Sequence, residues 1–223
     1  MPEWSVQRRF IRYTIVLPIL HTMNGSAPAR TGVGWTSNLS QGGACLELAE
    51  RLKPSAPLSL LLRTDEGDIE LNAEVVWAAE PTAAEGGILH SVVFTQVTPD
   101  RQQALRELLR HKGHVRHSGI RLPIELSILC RGKDEAAPLL QGRTGDISRA
   151  GLLLRLPQAL PVGTVLEVTV QTGHGPLAAE GAIIWVEPAQ AGTPGGLICH
   201  GFRFTNMGWA SELALGHLLA GRL

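Results

Sequence analysis

Three guanidinium groups crowd into five residues near the start of the chain: Arg8, Arg9 and Arg12 in RRFIR. In an extended segment Arg8, Phe10 and Arg12 share one face and Arg9 points the other way, so two planar forks can converge on one ligand. Such forks match phosphate oxygens and the O6/N7 edge of guanine, each bidentate contact contributing about 1 to 3 kcal/mol. A solvated basic leader would have the same composition. A second polar group follows at Asn38-x-Ser40-x-x-Gly43, with Gly42 beside it. Asn and Ser carry short side chains that can bond a nucleobase edge or their own turn, while glycine permits close backbone approach. An Asx-type turn closing a hairpin accounts for these residues equally well. Twenty Lys and Arg balance twenty Asp and Glu, so the formal net charge is zero. No global field draws such a chain onto nucleic acid or an anionic membrane, and anion binding has to be local.

The elements that must position these groups are legible in a repeat. LPI at Leu17–Ile19, NLSQGGACLEL from Asn38, AEVVW ending at Trp77 and GGILHSVVF ending at Phe94 recur in order. Their counterparts are LPI at Leu122–Ile124, DISRAGLLLRL from Asp146, GAIIW ending at Trp185 and GGLICHGFRF ending at Phe204. Leu17 to Leu122 is 105 residues, Asn38 to Asp146 and Trp77 to Trp185 are 108, and Phe94 to Phe204 is 110. A duplicated module explains the near-constant offset, and 223 residues suffice for two domains of roughly 100 to 150 residues. The halves divide as 1–112 and 113–223. Within each, short runs of Val, Ile and Leu alternate with turn clusters such as TDEGD and QTGHGP, as in antiparallel strands. Each half ends in a helical pattern. In the first, Thr98 is the N-cap, Pro99 the first helical residue, and Leu105, Leu108 and Leu109 share a face; in WASELALGHLLAGRL, Trp209, Leu213 and Leu219 are available for packing. Closing each sheet removes exposed edges, which favours a barrel with a helix over one mouth.

The combination of R-x-x-x-R, [N/D]-x-S-x-x-G, a strand ending in Trp and a late Val/Phe-rich strand resembles the PilZ domain family, in tandem over nearly the whole chain. The resemblance implies a mainly β fold: two six-stranded antiparallel barrels, each followed by a C-terminal α-helix. It also implies a ligand, cyclic di-GMP, and no cofactor. Arg8 and Arg12 would grip phosphates and guanine edges, Arg9 would assist, and Asn38, Ser40 and Gly43 would hold a base against the barrel. A basic leader that orders over the ligand would be the switch, relayed to a protein effector in motility, exopolysaccharide or secretion control. In the second half Asp146, Ser148 and Gly151 reproduce the turn. Aligning LPI with LPI, however, places Gly113 and His117 where Arg8 and Arg12 stand, and Arg121 at the start of a strand. The second barrel is then expected to lack an independent site, with Arg116 and His117 a weaker substitute alongside its turn.

Other chemistries find little support. There is no G-x-S-x-G, G-x-x-x-x-G-K-[ST] or H-E-x-x-H motif, which argues against an enzyme. His111, His114 and His117 recur every three residues, but Gly113 interrupts the helix between them, so no metal is expected. Trp77 and Trp185 are expected in the barrel cores; Trp4 and Trp35 stand nearer the ligand, with packing the default for Trp35. Cys45, Cys130 and Cys199 lack CxxC spacing, which favours buried, reduced thiols in a cytoplasmic protein. No apolar stretch reaches the roughly 20 residues of a spanning helix, and Pro18 interrupts the leader's apolar run, so neither membrane insertion nor an export signal is expected. A ligand-independent interaction protein and a ligand-controlled DNA-binding regulator are the rival functions, although neutral charge argues against nucleic acid. The C-terminal helix could pack on its own barrel or pair two subunits into a homodimer.

Overall fold

The computed structural model describes residues 10–23, 30–80, 86–113, 119–132, 138–173, 175–187 and 196–221. The chain divides into two compact units between Gly119 and Ile120. In the first, strands β1 (Pro18–Met23), β2 (Arg30–Ser40), β3 (Gly43–Leu48), β4 (Pro57–Thr64), β5 (Gly67–Ala78) and β6 (Ile88–Thr95) precede helix α1 (Pro99–Lys112). In the second, β7 (Ser127–Gly132), β8 (Leu140–Ser148), β9 (Gly151–Leu156), β10 (Val165–Thr172), β11 (Gly175–Val186) and β12 (Ile198–Asn206) precede α2 (Trp209–Ala220). Each set of six strands is antiparallel and closes into a barrel, in the orders β1-β2-β3-β6-β5-β4 and β10-β11-β12-β9-β8-β7. Every strand then has two partners, and no long edge is left to template aggregation.

Alternation dictates the interior. Leu58, Leu60 and Leu62 of β4 and Ile69, Leu71, Ala73 and Val75 of β5 point inward and are buried, with the residues between them on the outer face. Each buried Leu or Ile contributes roughly 1.5 to 3 kcal/mol. The buried His90 closes the first core: its Nδ1–H donates to Ile88 O, and its Nε2 accepts from Leu52 N–H at 3.0 Å, tying the β3–β4 connection to β6. His200 repeats both bonds with Ile198 O and Leu160 N–H. Burial pushes both imidazoles below the ordinary histidine range.

The hydrogen bonds revise the alignment of the two leaders. In the first unit the Thr36 hydroxyl donates to Ile15 O and accepts from Leu17 N–H, and Tyr13 bridges to Leu39. In the second, the Thr144 hydroxyl donates to Ile124 O and accepts from Leu126 N–H, and Leu122 bridges to Ile147. Leu126 therefore occupies the place of Leu17, and Leu122 that of Tyr13, an offset of 109 rather than the 105 of the LPI triplets. Three matching side chains mislead where a threonine staple sets the register. Arg121 consequently lies ahead of the first strand of its barrel, which begins at Ser127.

Helix α1 starts at Pro99 after Thr98, whose side chain makes no capping bond, and buries Leu105, Leu108 and Leu109 as its periodicity requires. Arg101 pairs with Glu70 at 2.9 Å, and Lys112 pairs with Asp65. Helix α2 buries Leu215, Leu218 and Leu219, whereas Trp209 and Leu213 are only half-buried. Neither helix is long or apolar enough to cross a membrane. Cys45 and Cys130 are buried, and burial pushes the Cys130 thiol up to about 12; Cys199, expected inside, is half-buried. His111 faces Glu66 at 3.3 Å, while His114 and His117 lie outside the described residues.

Candidate functional site

Arg8 and Arg9 lie outside the described residues; Arg12 lies within them and is exposed. What places Arg12 is the segment after it. Tyr13 N–H donates to Leu39 O and Leu39 N–H donates to Tyr13 O, both at 2.9 Å, so the chain here runs antiparallel beside the end of β2. Arg12 has no carboxylate partner among the described residues. Its guanidinium favours the Cys45 thiolate, opposing the stronger effect of burial, which raises that thiol.

Two bulges shape the outer surface beside Arg12. Between Thr36 and Asn38 the register of β2 slips: Thr36 pairs with the inward Leu46, while Asn38 pairs with the outward Cys45. Without the slip, residues two apart would share a face. The same device lies between Val75 and Trp77 of β5, with Val75 opposite inward Val92 and Trp77 opposite Ser91. One cross-strand row on the outer face therefore contains Asn38, Cys45, Ser91 and Trp77. Trp77 is 46% exposed, which overturns its expected place in the core, whereas Trp35, at 1%, is the core tryptophan.

The turn residues divide into two kinds. Asn38 Oδ1 is buried and accepts no hydrogen bond among the described residues. Ser40, by contrast, is buried with its hydroxyl committed, donating to Gly43 O at 3.0 Å. Gly43 is required sterically, because a Cβ there would come within 2.2 Å of Val92 O. Ser40 and Gly43 shape the turn, and Asn38 is the member with uncommitted bonding capacity.

The second barrel repeats the frame with different chemistry. Asp146, Leu153, Gly201 and Trp185 form the equivalent row; Trp185 is 44% exposed, again contrary to a core position. A Cβ at Gly201 would come within 1.9 Å of Trp185 Nε1, so the indole lies across that glycine. Ser148 donates to Gly151 O at 3.1 Å. The offset of 109 places Arg121 at the position of Arg12, and His117 at that of Arg8. Arg121 is not free: its Nη1 lies 2.5 Å from Asp146 Oδ1. Arg149, inside the turn, pairs with Glu212 of α2 at 2.5 Å. Arg203 stands opposite Gly151, where the first barrel has Val93 opposite Gly43. Arg116 and His117 lie outside the described residues.

Sequence reasoning missed Trp77, Trp185 and Cys45 as members of the outer rows. The repeated Trp at equivalent positions was visible, but the bulges that turn it outward were not.

Two barrels of this topology, each carrying the [N/D]-x-S-x-x-G turn beside an arginine segment, define a tandem β-barrel protein. The chain belongs to the PilZ domain family: the family model described as PilZ domain matches residues 7–111 and again 113–221. Among solved structures the chain is similar to PlzA of Borreliella burgdorferi in complex with c-di-GMP, at 13% identity over 92% of this chain and 87% of that one, TM-score 0.41. It is also similar to Escherichia coli YcgR in complex with c-di-GMP, at 16% identity over 91% and 81%, TM-score 0.37. A third is MrkH, described as a c-di-GMP-dependent transcription regulatory factor, at 13% identity over 98% and 95%, TM-score 0.37. No curated protein matches.

Proposed function

We propose that this chain is a cyclic di-GMP receptor whose primary site is the outer face of the first barrel. Arg12, with Arg8 and Arg9 upstream, supplies forks for phosphate oxygens and guanine O6/N7. Asn38 Oδ1 suits the N1–H and N2–H donors of a guanine, and the exposed Trp77 offers an apolar face for a ring. The observation that carries this reading is the Tyr13–Leu39 bridge, which sets Arg12 beside the end of β2 that bears Asn38 and the Asn38–Cys45 row. Ordering of the leader over the ligand would present a new surface to a protein effector. The second barrel is the weaker candidate, because a ligand there must first displace Asp146 from Arg121.

Calorimetric titration with cyclic di-GMP tests the assignment. Asn38→Ala should weaken binding by about 1 kcal/mol, the net worth of one hydrogen bond, and Trp77→Ala by about as much. Heat-silent titration of the wild type would favour a ligand-independent interaction protein. Salt-dependent retention on DNA, with or without ligand, would favour the regulator.

A further inference from the structure

We propose that Phe10, seated against Gly42, is a positioning residue that holds Arg12 beside the NLSQGG turn before any ligand arrives. The inference deepens the reading of this face as the cyclic di-GMP site and rests on it. Phe10 lies three residues before Tyr13 and Gly42 three residues after Leu39, the two residues joined by the isolated antiparallel bridge. The contact is present: a Cβ built on Gly42 would come within 2.6 Å of Phe10 Cδ2 and 2.8 Å of Cε2. No other side chain at this position would leave the ring its place. The turn beneath the ring is itself fixed, because Gly42 O accepts the Phe94 N–H at 3.0 Å and Ser40 closes on Gly43. The ring is 36% exposed, so it lies on the barrel surface and not in the core.

The consequence concerns Arg12. Only Ile11 separates Phe10 from Arg12, so a ring fixed on Gly42 restricts where Arg12 can project. Restricting Arg12 beforehand lowers the ordering cost of binding. The second barrel has no counterpart to this anchor. The same count along its bridge between Leu122 and Ile147 reaches Gly119 and Ala150, a residue with no ring and a residue with a methyl group.

The test pairs a ligand-free measurement with a binding measurement on the full chain. Phe10→Ala removes the ring; Gly42→Ala displaces it while meeting only a side chain, so the barrel fold is retained. Without ligand, both should accelerate tryptic cleavage after Arg12 by about tenfold, with unchanged thermal unfolding. Both should weaken cyclic di-GMP binding by roughly 5- to 30-fold, chiefly through faster dissociation, and Phe10→Tyr should restore both readouts. Unchanged cleavage in both variants would overturn the anchor whether or not ligand binds. Faster cleavage with unaltered affinity would overturn the positioning role. Failure of the wild type to bind cyclic di-GMP would overturn the proposed function instead, and the ligand-free cleavage would still decide whether Phe10 anchors Arg12.

Discussion

The two barrels share a frame and differ in what occupies it. Both turn a polar residue outward through the first bulge and a tryptophan outward through the second, and both close the polar turn with a serine hydroxyl bonded to a glycine carbonyl. In the first barrel the polar residue is the neutral Asn38, and Arg12 has no carboxylate partner among the described residues. In the second it is Asp146, which Arg121 already engages at 2.5 Å. One aspartate in place of one asparagine converts a guanidinium available to an incoming anion into one whose partner must first be displaced. Duplication preserved the parts that make the barrel and let the parts that would meet a ligand diverge.

The shared frame can be broken first. Gly43→Ala and Gly151→Ala would each drive a Cβ to within 2.2 and 2.0 Å of a backbone carbonyl, that of Val92 and Phe202 respectively. Backbone cannot step aside as a side chain can, so each should destabilise its own barrel by about 3 kcal/mol in urea unfolding. A barrel that tolerated the change would not share the frame. Next in size, His90→Ala and His200→Ala should each cost about 2 kcal/mol, leaving Leu52 or Leu160 N–H without its acceptor.

These two histidines, with His21 buried in β1, predict a pH dependence. Burial lowers the folded-state pKa of His21, His90 and His200, so the unfolded chain binds more protons once pH falls below its own value of about 6.5. Stability is therefore fully present above that pH and lost progressively in acid, as pH falls toward the lowered folded values. The first barrel, with two of these groups against one, should lose more. Differential scanning calorimetry between pH 7 and 5 would show this; equal loss in both barrels would contradict the unequal count. The smallest effect is expected at the ion pair itself. Arg121 and Asp146 are 51% and 25% exposed, so Asp146→Asn should change the second barrel's stability by less than about 1 kcal/mol.

Most of the frame could be read from the residues. The repeat, the strand and turn alternation, and the leucines of α1 all report through periodicity, which burial enforces. Bulges evade that logic. Counting by twos from Val75 puts Trp77 in the core, and nothing local in AEVVW marks the slipped register that turns it out. The leader alignment failed for a related reason: LPI repeats by letter, but the register is set by Thr36 and Thr144, far along the chain from the residues they staple. Arg121 therefore stands at the position of Arg12, and the second barrel keeps one of the two arginines that matching by letter removes. The turns were legible as turns. That Ser40 spends its hydroxyl within the turn while Asn38 keeps its acceptor is set by the folded turn and not by the motif.

The proposed cyclic di-GMP site lies on the first barrel, where Arg12 has no carboxylate partner among the described residues. Isothermal titration of the wild type, Arg12→Ala and Arg121→Ala against cyclic di-GMP tests it most directly. Arg12→Ala should lose about 1 to 3 kcal/mol of binding free energy, and Arg121→Ala should bind as the wild type does. Loss of binding in Arg121→Ala with Arg12→Ala unaffected would place the site in the other barrel and contradict it.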